Sequence, residues 1–190
     1  MSRILLFCVA EEAKSLIPKI SREFSHKENV PPPFWLVESN VCPRDQAGFK
    51  VVLKDDEPFE SDFINASKEQ CQKWAQENWD KVDGISHEDI AIADERTSRD
   101  GTLLMSSWHF DNVDLDGWGP LPPRVPAWYD FRVHHRAVDA FEVSQHWCPL
   151  DEALPIYYGQ PEKYTDEAGV FDSIKVELWM TGKIENENFI

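Results

Sequence analysis

Six histidines punctuate an acidic chain, and four of them (His109, His134, His135, His146) fall in a span that also holds four of the eight tryptophans. Imidazole changes protonation near neutral pH, so it serves as acid, base or metal ligand. Indole adds a rigid apolar face with one N–H donor. Together they suggest a ligand cavity walled by Trp108, Trp118, Trp128, Phe131 and Trp147. His109, Arg132, His134 and His135 are then the catalytic groups, polarising a ligand carbonyl or moving a proton. Such a pocket works by shape and a few polar contacts and needs no cofactor. The competing reading makes these aromatics ordinary core.

Three further constellations carry weaker chemistry. His109-x-Asp111 with a later His is the spacing of a non-haem iron triad. Six histidines in an acidic chain produce it readily by chance, so no metal is expected. Cys148 beside His146 has the makings of a thiolate and its base, but Pro149 follows at once and a packed thiol is the simpler expectation. Asp94-Glu95 stands at a strand end, where open sheets place their sites. The plain alternative is an acidic turn paired with Arg96 or Arg99.

The elements that must position these groups are bounded by length and composition. The 190 residues suit one domain, 1–190, and bury enough surface to need no metal or disulfide staple. With 35 acidic against 19 basic residues the net charge is −16. That field repels nucleic-acid phosphate and anionic membrane and favours a basic protein partner or an uncharged, apolar small molecule. The apolar start at residues 2–10 mimics a signal peptide, but Glu11 and Glu12 cut it short, and it reads as a first strand. Four scattered cysteines (Cys8, Cys42, Cys71, Cys148) without a secretory signal read as reduced thiols in a cytoplasmic protein.

Residues 4–10 and 34–37 read as strands, with a proline-disturbed helix over 13–24 between them. Residues 49–53 read as another strand and 54–63 as acidic loop. Ser67 with Gln70 predicts a capping box that opens a helix with Cys71, Trp74, Ala75 and Val82 on one stripe, closed by Gly84. Strands are expected at 89–94, 102–108 and 128–136, with a turn over 95–101 and a long Pro/Gly loop over 111–126. Short strands are expected at 141–143 and 174–180, around an irregular stretch 150–164. No glycine-rich loop follows the first strand, which argues against nucleotide binding of that kind.

These elements give an α+β fold: a central mixed β-sheet, a few helices and long irregular loops. The run Asp89-Ile90-Ala91-Ile92-Ala93-Asp94-Glu95-Arg96-Thr97, then Thr102–Met105, Phe131–Val133 and Asp166–Phe171, resembles a small domain family of unknown function from fungi and actinomycetes, across residues 55–172. The chain departs from that pattern by inserting 111–128 and 155–165. The family has no established activity, so the resemblance implies the fold class alone. The leading functional expectation is an aromatic-lined small-molecule-binding domain, a cofactor-independent isomerase or cyclase acting on an apolar metabolite. The runner-up is a non-catalytic acidic interaction protein of the immunity type, and a non-haem iron oxygenase stands third.

Overall fold

The computed structural model describes residues 2–25, 27–54, 57–109, 127–147 and 161–183, with the backbone alone at 109, 127, 145–147, 161 and 162. Five strands form one mixed sheet in the order β2-β1-β3-β4-β5. They are β1 Arg3–Cys8, β2 Phe34–Val37, β3 Ile85–Ala93, β4 Thr102–His109 and β5 Ala127–His134. β1 runs parallel to both β2 and β3, while β3–β4 and β4–β5 are antiparallel. A strand covered on both faces must be apolar throughout, and Ile4, Leu5, Leu6, Phe7 and Cys8 are all buried.

Helices cover both faces. A 3-10 turn at Glu11–Leu16 leads into α1 Ile17–Ile20, which packs with Ile4, Leu6, Leu103 and Phe131 on one face. Between β2 and β3, α2 Lys68–Asn78 lays Cys71, Trp74 and Ala75 on Leu5, Phe7 and Ile92 of the other. Ser67 accepts from the Gln70 N–H and the Gln70 side chain returns to the Ser67 N–H, the capping box the spacing predicts. The helix ends at Asn78, before Gly84. Gly84 instead turns the chain into β3 at φ 93°, close under the Trp35 ring. Farther along α2's face of the sheet, Gln72 donates to Ser106 (2.7 Å) and Ser106 to Asp130 (2.7 Å), tying the helix to β4 and β5.

After β3 comes α3 Glu95–Asp100, where a turn was expected. Asp94 and Thr97 cap it reciprocally, and Gly101 closes it in the left-handed region at φ 72°. Beyond β5 a 3-10 turn, His135–Ala137, opens α4 Val138–Trp147, followed by α5 Pro161–Tyr164 and α6 Ser173–Met180. Two expected strands are therefore helical. Val138, Phe141 and Ser144 are buried at three-residue spacing, which is a helix face. At 174–180 the alternation misleads, and the deciding signal is Asp172, whose carboxylate accepts the Lys175 N–H as an N-cap. Residues 49–53 contribute a single bridge, Leu36 to Lys50, and no strand. The loop 111–126 and most of the stretch 150–164 lie outside the described residues. No helix among the described residues is long and apolar enough to cross a membrane.

Candidate functional site

The crossover from β1 to β2 passes over one face and that from β2 to β3 over the other, so the winding reverses between β1 and β3. Open α/β sheets bind ligands outside the carboxyl ends of their strands, around such a reversal. Three cavities lie at this end of the molecule. One, of about 630 Å³, sits at the ends of β1 and β3, lined by Val9, Ala10, Glu11, Glu12, Ile64, Asn65 and Glu95. The others lie where β4 begins and β5 ends, since Thr102 is the register partner of His134. They measure about 360 and 350 Å³ and share Asp100 and His134.

The first of this pair has a wall of Ala137, Ala168, Val170, Phe171 and Ile174, with Thr102, Asp166, Asp172 and Ser173 at its polar margin. The second is lined by Leu16, Lys19 and Ile20 from the first helical segment, Ser98 from α3, Gly101, and His134, His135 and Arg136. The two imidazoles stack with centroids 4.6 Å apart.

Hydrogen bonds assign their ring protons. The His134 Nδ1 accepts the Arg136 N–H at 3.2 Å, so in the neutral ring the hydrogen is on Nε2. His135 Nδ1 lies 2.6 Å from the Gly101 carbonyl oxygen, which can only accept, so this ring carries its hydrogen on Nδ1 and its Nε2 is bare. Burial lowers the pKa of both rings, and the Arg136 charge lowers each further; at His135 the Gly101 bond opposes the shift without reversing it. Both are therefore neutral at pH 7. Gly101 is required here twice over: its φ is positive, and a Cβ would sit 3.1 Å from His135 Nδ1.

The groups that sequence spacing assembled into one pocket are separated. Trp108 and Trp128 do meet, as cross-strand partners with ring centroids 5.4 Å apart. They lie at the other end of β4 and β5, roughly 20 Å from His134 at strand rise. His109 belongs to that same far end, paired with Ala127 in the backbone. Trp118, Asp111 and Cys148 lie outside the described residues, as do the side chains of His146 and Trp147. Phe131 is set apart from the tryptophans: strand alternation turns it to the face opposite Trp128, where it is 6% exposed and packs on Phe141 and Phe171. Arg132 is engaged elsewhere, its guanidinium donating to both Asp94 oxygens at 3.0 and 2.6 Å. Burial works against the Asp94 charge, but Arg132 and Thr97 outweigh it and hold this carboxyl below its ordinary value. Asp94 thus pairs with Arg132 and caps α3, while Glu95 pairs with Arg99 at 4.0 Å, so the acidic turn takes its arginine through Glu95. Among the described residues no group of three or more His, Cys, Asp or Glu is placed to hold a metal.

Lys19, Ser98, Asp100, Gly101, Arg136 and Phe171 escaped the sequence reading. The adjacent His134-His135 at a strand end and the Asp100-Gly101 turn were the signals that pointed toward them. Comparison with family models, curated proteins and solved structures gives no match to this chain. The resemblance to the fungal and actinomycete family rests on its residues alone.

Proposed function

We propose that this chain binds an apolar small molecule in the cavity beside Phe171 and shifts a proton on it, as an isomerase or cyclase does. The reading is carried by one observation: a half-buried neutral imidazole, His134, lines a mostly hydrocarbon cavity together with three carboxylates, of which Asp100 is tied to Thr102 and Arg96 and Asp166 and Asp172 each keep an oxygen for chemistry. A cavity of about 360 Å³ falls within the size range of small-molecule sites. A neutral Nε2–H polarises a carbonyl without first losing a proton. Asp166 accepts the Ala168 and Val170 N–H groups on Oδ1, and Asp172 accepts the Lys175 N–H on Oδ1. The second oxygen of either is the base. It takes a proton from the carbon next to the carbonyl while His134 gives one to the carbonyl oxygen, and the reverse transfer at another carbon completes the shift with no change of oxidation state. His135, anchored to Gly101 and stacked on His134, is a positioning residue.

The test is deuterium exchange. A panel of apolar enolisable ketones in heavy water should take up deuterium next to the carbonyl. His134→Gln should slow that uptake by about a hundredfold. If no ketone exchanges, or His134→Gln exchanges as fast as the parent, the reading fails, and capture of a basic protein would then put the acidic interaction protein in front.

A further inference from the structure

We propose that the second cavity, between α1, the α3–β4 turn and His134–Arg136, binds a small hydroxylated organic anion, its carboxylate or phosphate on Lys19 and Arg136 and its hydroxyl on the imidazole pair. This concerns a neighbouring cavity and goes beyond the reading above, sharing with it only the ring tautomers that the hydrogen bonds assign.

The charge of the lining runs against that of the molecule. In a chain of net −16, this cavity is lined by two cations, Lys19 and Arg136, against a single carboxylate, Asp100, with the two neutral imidazoles between them. That carboxylate is engaged on both oxygens: Oδ1 accepts from the Thr102 N–H at 3.0 Å and its hydroxyl at 2.6 Å, and Oδ2 from Arg96 Nε at 2.7 Å. Arg136 uses Nη2 on Glu23 at 2.6 Å, a pair about half exposed and open to exchange. Lys19 has no ion-pair partner among the described residues. A planar guanidinium and an ammonium on one wall suit an oxyanion.

Independent of that charge, His135 is 6% exposed and lines the same cavity. Its Nδ1 is held by Gly101, while its buried Nε2 meets no hydrogen-bond partner among the described residues. A buried acceptor left bare is uncommon in native proteins and marks a place where a donor belongs. A ligand hydroxyl is such a donor; the nitrogen is closed to solvent in this structure, so binding must open the side chains that cover it. His134 supplies the complement, an Nε2–H that donates to a hydroxyl or carbonyl oxygen. Ser98 donates its hydroxyl hydrogen to the Glu95 carbonyl at 2.7 Å, which leaves its oxygen as an acceptor in the lining. A simple carboxylate satisfies the cations alone, and a hydroxy acid or a phosphorylated alcohol satisfies the imidazoles as well.

Ring-nitrogen NMR of the full chain reads this directly. Sodium lactate, acetate, inorganic phosphate and glycerol phosphate are titrated at fixed ionic strength, with sodium chloride as control. Saturable shifts of the His134 and His135 nitrogens in the millimolar range are expected, stronger for lactate than acetate or for glycerol phosphate than phosphate. Whichever of the two pairs binds tighter identifies the anionic group. Lys19→Gln and, as a second variant, Arg136→Gln should each weaken the response about tenfold. Shifts matched by sodium chloride, or unchanged in both variants, overturn the proposal. Deuterium exchange of ketones without any anion response sinks this inference alone. An anion response without exchange sinks the proton-transfer reading and leaves this one standing.

Discussion

At the residue scale, the paired imidazoles set the acid behaviour of the fold. Both are neutral in the folded chain because their pKa values are lowered there, at His135 by burial first. A depressed pKa means the unfolded chain binds the proton more tightly. The stabilisation is therefore fully present above the unfolded histidine value, about 6.5, and is lost as pH falls below it through the folded value. Urea unfolding over that window should show stability falling with acid, with a smaller slope in His135→Gln. An equal slope in the variant would assign the effect to other groups. Gly101→Ala is the sharper probe of geometry. It forces a left-handed residue and a contact 3.1 Å from His135 Nδ1, so it should cost at least about 1 kcal/mol and disturb the His135 ring signals. The thiols divide by burial as well. Cys8 and Cys71 are buried and their pKa values pushed up to about 11 and about 12, while Cys42 is only partly covered. Among these three, Cys42 should be the one an aromatic disulfide reagent modifies in the folded protein, and the others should react on unfolding.

At the scale of elements, caps decide what periodicity leaves open. The Ser67–Gln70 box and the β4–β5 alternation were legible, because each depends on side chains two to four residues apart. The helices over Val138–Trp147 and Ser173–Met180 were not, since short apolar runs fit either period and the arbitration came from Asp172 and from burial against the sheet. The site divides in the same way. His134 and His135 stand next to each other in the chain, so their meeting at one cavity was legible. Lys19, Ser98 and Phe171 join them only through tertiary packing, which no local pattern carries. The expected single pocket meets the converse difficulty: closeness in sequence along β5 spreads Trp128 and His134 over roughly 20 Å, while Trp118 and the Trp147 side chain lie outside the described residues. Ser67→Ala should cost about 1 kcal/mol in a denaturant melt. Arg132→Met should cost more, about 2 kcal/mol, because it strips the Asp94 carboxylate of both guanidinium bonds. A loss no larger than that of Ser67→Ala would show this pair to be solvated decoration.

Across the whole molecule, the net charge of −16 sets a diffuse repulsion against which the packed sheet holds together. Salt at about 0.1 M shortens the reach of that repulsion to about 10 Å and should raise the melting temperature. A fall on adding salt would show that specific ion pairs such as Asp94–Arg132 outweigh the general field. One sheet edge has a further bearing on the molecule's fate in solution. Among the described residues no sixth strand pairs with β5; the Phe171 N–H bonds the Arg132 carbonyl at 2.7 Å, and the turn 165–171 folds over that margin. Phe171 also walls the apolar cavity. The same side chain thus walls a cavity and stands over an edge open to strand-by-strand polymerisation. A compound lodged beside it would pin that cover in place, so its first visible effect in a heated sample would be clarity: delayed turbidity.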